Sequence, residues 1–310
     1  AALEGAPTVL SLPTDRPHPA RPSMEGERVD RWLAPGSVAR LAEVAEAIGV
    51  RAHHFMLAAW ALLVARYAEE EEILVGMPIA NRPPGLEAHV GCFINTLILR
   101  VAAPDDHTHG FADVARDARR RIREARAGGE LPCGAILDRL EVERDGARAP
   151  VYQVMFNYLP FSLADARWRG LEVEGHRVSG GIASMDLALD VTEVGGRYRL
   201  TLEHSTDVFD RAHAERILAH YAFVLEQALE QPERPLARFA LVPPEERARI
   251  EQLARGPALA PSPGPQTFHG AIFEAARAHP DRSAARLGAR TLPYAALERS
   301  ARALARRLVA

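Results

Sequence analysis

The sequence predicts an α/β protein built on a mixed sheet, and three patterns carry that expectation. Across Asp186 to Glu193 the residues Leu187, Leu189 and Val191 fall at alternate positions, on one face. Gly195-Gly196 then offers a two-residue turn, and Tyr198, Leu200 and Leu202 resume the alternation, so an antiparallel hairpin covers a core. His53 to Tyr67 (HHFMLAAWALLVARY) is apolar nearly all round, as in a buried helix, and it feeds a short apolar run that starts at Ile73. Helical and strand patterns are mixed without strict strand-helix alternation, which argues against a Rossmann arrangement.

Taken in order, Val38, Leu41, Val44, Ala45 and Ile48 recur at helical spacing, and Gly49 is placed to end that helix. The buried helix over His53 to Tyr67 follows at once. Ile73 to Gly76 reads as a short strand ending at Met77-Pro78, and the turn formers Asn81-Arg82-Pro83-Pro84-Gly85 open a loop. Cys92 to Val101 is β-branched and aromatic, the composition of a strand buried on at least one side. Phe111, Val114, Ala118 and Ile122 form one stripe of an amphipathic helix. Arg116, Arg119, Arg120, Arg121, Arg123 and Arg126 share the rest of it with Asp113, Asp117 and Glu124. Interleaved charge of this kind reads as a solvated face, and its functional reading is docking of an acidic partner.

Val151 to Leu159 (VYQVMFNYL) is strand-like, the hairpin follows, and Asp210 to Leu229 is an amphipathic helix. Prolines 257, 261, 263 and 265 mark a linker around one short charged helix that begins near Pro244-Glu245-Glu246. Beyond it, helices are expected from Phe268 to Ala278 and from the Leu292-Pro293-Tyr294 stretch onward.

The chain has 310 residues, 47% hydrophobic and 25% charged, enough to bury a sizeable core and part of a second domain. Its formal charge of -3 gives no electrostatic case for nucleic acid or a membrane surface. All 38 basic residues are arginine, so a Walker lysine, a Schiff base and lysine-based adenylation chemistry are excluded within this chain. Cys92 and Cys133 lie far apart without metal spacing, and buried thiols in a reducing cytosol are expected. No metal ligand set is read. No run approaches the length of a membrane span and AALEGAPTVL lacks signal-peptide order, so the expected location is cytoplasmic.

The stretch from Val75 to Arg100, VGMPIANRPPGLEAHVGCFINTLILR, closely resembles the core signature of condensation domains in nonribosomal peptide synthetases. Leu12-Pro13-Thr14-Asp15-Arg16-Pro17 resembles the crossover between the two halves of such a domain. Arg144-Asp145 and Arg148-Ala149-Pro150, followed by Tyr152 to Tyr158, resemble the family's SPLFQVMFN region. Phe268-His269-Gly270 and Leu292 to Leu297 resemble the opening of an adenylation domain, with Pro293 where that family has a small hydroxyl residue. The expected organisation is the second half of a condensation domain over residues 1–240, with 1–17 as crossover, then a linker over 241–267 and the start of an adenylation domain over 268–310.

The resemblance implies a fold like chloramphenicol acetyltransferase, with a tunnel between two halves. In that tunnel an amine on one carrier protein attacks a thioester on another. The reaction requires the amine held about 3 Å from the carbonyl and water excluded. The family's HHxxxDG motif belongs to the first half, and His53-His54 is followed by Phe55-Met56-Leu57-Ala58-Ala59 instead. No catalytic residue is therefore assigned, and the pair is read as structural. Candidates for the tunnel wall are Asn157, Tyr158, Asn95, Asp186 and Arg82. Asn157 is either a positioning amide or a strand-end cap, while Asn95, Arg82 and Asp186 also read as bracing. No cofactor is expected on this chain itself; phosphopantetheine would arrive on carrier domains, and the partners expected are those carriers, the first half and the adjoining adenylation domain.

The segment Gly128 to Gly134 departs from the family's HQDLPFE wording and retains only Leu131-Pro132. Phe156-Asn157-Tyr158-Leu159 also resembles epimerisation domains, and heterocyclisation would be signalled only in the first half. A second reading is a docking or scaffold module without chemistry of its own.

Overall fold

The computed structural model describes residues 3–140, 146–160, 170–171, 178–256 and 267–309. The chain forms two compact units, 1–247 and 248–310. In the first, a strand β1 (Gly26–Trp32) precedes helices α1 (Ser37–Ala47) and α2 (Ala52–Ala68). Strands β2 (Glu72–Ala80) and β3 (Ile94–Ala102), helices α3 (Phe111–Ala127) and α4 (Cys133–Arg139), and strand β4 (Val154–Leu159) follow. The hairpin β5 (Leu187–Val194) and β6 (Arg197–Ser205) leads to α5 (Arg211–Glu230), and α6 (Pro244–Arg255) begins in this unit.

The six strands order as β1-β6-β5-β4-β2-β3. β4 runs parallel to β2 and β5, and the remaining pairs are antiparallel, so the sheet is mixed as the pattern requires. Gly195 and Gly196 both adopt positive φ (53 and 73), the twist that a two-residue hairpin turn demands. One face of the sheet packs against α1, α2, α3 and α5. α2 is the centrepiece of this layer, with Phe55 to Ala65 almost wholly buried; each large apolar side chain there contributes roughly 1.5–3 kcal/mol.

On the opposite face, α4 and the segment that begins at Leu3 cover Leu74, Ile98 and Tyr152 in a smaller cluster. Tyr152 lies flat on β2: a Cβ at Gly76 would stand 2.4 Å from its ring, so only glycine admits that contact. Gln153, 1% exposed, accepts the Leu10 N–H at 2.7 Å and donates to the Thr8 and Ala149 carbonyls, which ties the N-terminal segment to the start of β4.

Several expectations are corrected. β2 does not end at Met77-Pro78 but runs to Ala80; it pairs with β4 only at Val75 and Gly76, so the missing N–H of Pro78 breaks no bond on that side. β3 begins at Ile94, which leaves Cys92 exposed in the loop, and Cys133 is half-buried, so neither thiol is fully buried. β4 begins at Val154, because Val151 has φ 74 and cannot continue a strand. β1 carries too few apolar residues to be read from pattern, and α4, with 7 residues, is too short to show a helical period. The Arg144-Asp145 pair and prolines 257, 261, 263 and 265 lie outside the described residues.

The second unit contains α7 (Phe268–Ala278), a hairpin of β7 (Ser283–Leu287) and β8 (Arg290–Pro293), and α8 (Tyr294–Val309). The Thr267 hydroxyl accepts from the Gly270 N–H and caps α7. Among the described residues no single helix is long and apolar enough to cross a membrane.

Candidate functional site

Alternation places Val154 and Phe156 of β4 against the helices and turns Met155 and Asn157 to the other face. On that face the register aligns Asn157 with Asp190, Asp190 with Thr201, and Thr201 with Asp30. One polar row therefore crosses four neighbouring strands. Asn157 Nδ2 donates to Asp190 Oδ1 at 3.2 Å, and the Thr201 hydroxyl donates to Asp30 Oδ1 at 2.5 Å. Arg28 and Glu203 form a second pair beside it, with Nη2 to Oε2 at 2.6 Å. A half-buried amide held by a carboxylate can accept from an amine through its carbonyl oxygen, which is what a positioning group needs.

The other candidates go to different places. Tyr158 turns toward the helices, where its hydroxyl lies 3.3 Å from that of Tyr198 and its ring stands 5.8 Å from His53. Burial pushes the Tyr158 hydroxyl above the usual phenol range, so it stays protonated. Asn95 has its amide fully engaged: Nδ2 donates to the Gly129 and Leu131 carbonyls, each at 2.8 Å, and Oδ1 accepts from the N–H groups of Thr96 and Cys133. With Asn81, which also donates to Gly129, it braces the Gly128 to Gly134 loop. Arg82 stacks 4.0 Å over Phe93 and donates to the Leu86, His89 and Gly91 carbonyls, so it organises the loop between β2 and β3.

Asp186 is 7% exposed and pairs with His18 Nε2 at 2.9 Å. That contact joins the N-terminal segment to the start of β5, and the two line a small cavity with Arg148, Ser184 and Ser205. The structure thus separates the five candidates. Asn157 alone joins the polar row, Asp186 closes a buried pair at its own cavity, and Asn95 and Arg82 support loops. Asp190 and Gln153 escape sequence reasoning; for Asp190 the available signal is a carboxylate between the inward-facing Leu189 and Val191.

His53-His54 opens α2. His54 Nδ1 accepts the Arg51 N–H at 3.0 Å, the service a capping carboxylate would give. Burial, and then the Arg126 and Arg51 guanidinium charges, lower the His53 pKa to about 4. Burial, His53 and the charges of Arg119, Arg51 and Arg126 lower that of His54 to about 3. Among the described residues no carboxylate orients either imidazole, so a catalytic dyad is not formed here. Among the described residues no group of histidine, cysteine and acidic side chains could hold a metal ion.

The family model described as "Condensation domain" matches residues 1–251. The chain belongs to the condensation-domain family. A linear gramicidin synthase of Brevibacillus parabrevis is 33% identical over 96% of this chain. Surfactin synthase subunit 1 of Bacillus subtilis (strain 168) is 28% identical over 99% of it. The chain spans only 6% and 8% of the length of those relatives. Among solved structures, a condensation-type fold recurs in the four-domain nonribosomal peptide synthetase AB3403, with TM-score 0.77 at 19% identity, over 96% of this chain and 23% of that one. The X-domain in complex with OxyB from teicoplanin biosynthesis matches with TM-score 0.70 at 27% identity, over 78% of this chain and 54% of that one. A condensation-domain fold thus carries the polar row on the sheet face opposite α1, α2, α3 and α5.

Proposed function

We propose that this chain is the second half of a condensation domain in a nonribosomal peptide synthetase, and that the sheet face turned away from α1, α2, α3 and α5 forms a wall of the reaction tunnel. The reading rests on the row from Asn157 through Asp190 to Thr201 and Asp30, because the Asp190 carboxylate holds the Asn157 amide in one orientation on β4. In the reaction, the amine nitrogen of one carrier-bound substrate bonds to the thioester carbon of another. The carbon-sulfur bond then breaks, a thiol leaves, and the nitrogen gives up a proton. The base belongs to an HHxxxDG half, and this chain's task is to hold the reactants in line and exclude water. Asn157, oriented by Asp190, is the positioning group: its carbonyl oxygen accepts from the attacking amine. Asn95 and Arg82 act at a distance by fixing the two loops.

Residues 268–310 then supply the start of an adenylation domain, with 241–267 as the linker. The Leu292 to Leu297 wording falls at the end of β8 and the start of α8, a strand-to-helix passage that agrees with this assignment. Phosphopantetheine enters as the arm of partner carriers.

The test is Asn157→Ala in the complete condensation domain, assayed by single-turnover amide formation from two loaded carriers. The rate is expected to fall roughly tenfold, the scale of one lost hydrogen bond at the reacting group, with an unchanged melting temperature. An unchanged rate would return Asn157 to a strand-end role.

A further inference from the structure

The six arginines of α3 do not form one face. Arg116 pairs with Asp113 and Glu233, and Arg120 and Arg121 both pair with Asp117. Arg119, Arg123 and Arg126 follow one another at steps of four and three, which puts them on a common stripe. That stripe, with Arg51, His53 and His54, lines an open cavity of about 500 Å³ beside the first turn of α2. No carboxylate lines it, and among the described residues none lies within ion-pair distance of these four arginines. Arg119 donates one N–H to the Gly49 carbonyl, which holds its head at the cavity without neutralising it.

His54 adds a second, independent pointer. Its Nδ1 accepts the Arg51 N–H, so the ring proton sits on Nε2. The residue is 7% exposed, lines the cavity, and has no hydrogen-bond partner at Nε2 among the described residues. Four guanidinium groups without a counter-charge and a fixed N–H donor converge on one space. Repulsion among uncompensated guanidinium charges is unfavourable unless an anion relieves it.

We propose that this cavity is a binding site for a phosphate-type anion, held by Arg51, Arg119, Arg123 and Arg126 with His54 Nε2–H as a neutral donor. Guanidinium forks match tetrahedral oxyanions, and the first turn of α2 contributes its positive end. A neutral His54 suits the task, since its Nε2–H donates without adding to the cationic crowding. The phosphate comes either as a free polyphosphate or at the base of a carrier's pantetheine arm. The site is independent of the role of Asn157, so failure of one leaves the other standing.

The experiment is calorimetric titration of the chain with pyrophosphate and, separately, with pantetheine 4′-phosphate and pantetheine. The buffer holds about 100 mM chloride, so that attraction beyond roughly 10 Å is screened. Both phosphates are expected to bind and pantetheine is not. Tighter binding of pantetheine 4′-phosphate assigns the carrier arm, and tighter binding of pyrophosphate assigns a free ligand. Arg123→Gln should weaken binding by roughly tenfold, the scale of one charge-assisted bond, whereas Arg120→Gln removes the same charge from the same helix without effect. Both positions are exposed, so both variants should fold. In the histidine nitrogen spectrum, only His53 and His54 should shift with ligand. Absence of binding, equal losses in the two variants, or an unmoved His54 would overturn the proposal.

Discussion

Removing the Asn95 amide strands two loop carbonyls and two N–H groups at once, so Asn95→Ala should lower stability by about 1–3 kcal/mol in urea titration. A loss within error would mean that the Gly128 to Gly134 loop does not depend on it. His53 and His54 supply a pH dependence. Both are harder to protonate in the folded chain than in the unfolded one, with values near 4 and 3 against an ordinary 6.5. Their contribution is therefore complete above 6.5 and declines as pH falls toward those values. Urea midpoints should fall between pH 7 and pH 5, and His53→Gln should flatten that decline; parallel curves for the two proteins would contradict it. At this scale legibility follows chemistry that is local in sequence. The acids three and four residues before Arg116, Arg120 and Arg121 are visible as partners. The convergence of Arg119, Arg123 and Arg126 on His54 is not, because it requires α3 to lie beside the start of α2. Asp186 is named from the sequence as a tunnel-wall or bracing candidate, yet its partner His18 is 168 residues away and no spacing rule reaches it.

At the level of elements, α6 is a helix with no buried residue, so packing alone does not hold it. Tyr67 hydroxyl and His220 Nδ1 lie 2.7 Å apart, and His220 Nε2 lies 2.7 Å from Glu246 on α6. Glu246→Ala should raise exchange of the Arg247 amide, which donates to the Pro243 carbonyl, by roughly tenfold while α2 remains protected; unchanged exchange would show that the chain of bonds does not hold this first turn. Helices with a broad apolar stripe, α2, α3 and α5, are readable because burial on one side imposes the 3.6-residue period. The hairpin β5 and β6 is readable because one face is core and Gly195-Gly196 fits only a tight turn. β1 is not: within GERVDRW only Val29 faces the main core, and an edge strand needs no more. The end of β2 is misplaced from sequence because proline reads as a stop, while its tolerance depends on where β4 departs.

For the molecule as a whole, the family match over 1–251 and the compact unit over 1–247 nearly coincide, so one folded body carries the family's sequence pattern. The order of the motifs foreshadows that coincidence more than any composition does. The polar row is only partly visible, since Asn157 stands out by resemblance while its alignment with Asp190, Thr201 and Asp30 is a matter of strand register. The central claim is that this body shapes a tunnel and borrows its base from an HHxxxDG half. It is tested most directly by single-turnover amide formation from two carrier-bound substrates, measured with the purified 310-residue chain and with the same chain joined to that half. The account predicts no amide from the chain alone and formation when the two are joined; equal turnover by the chain alone would contradict it.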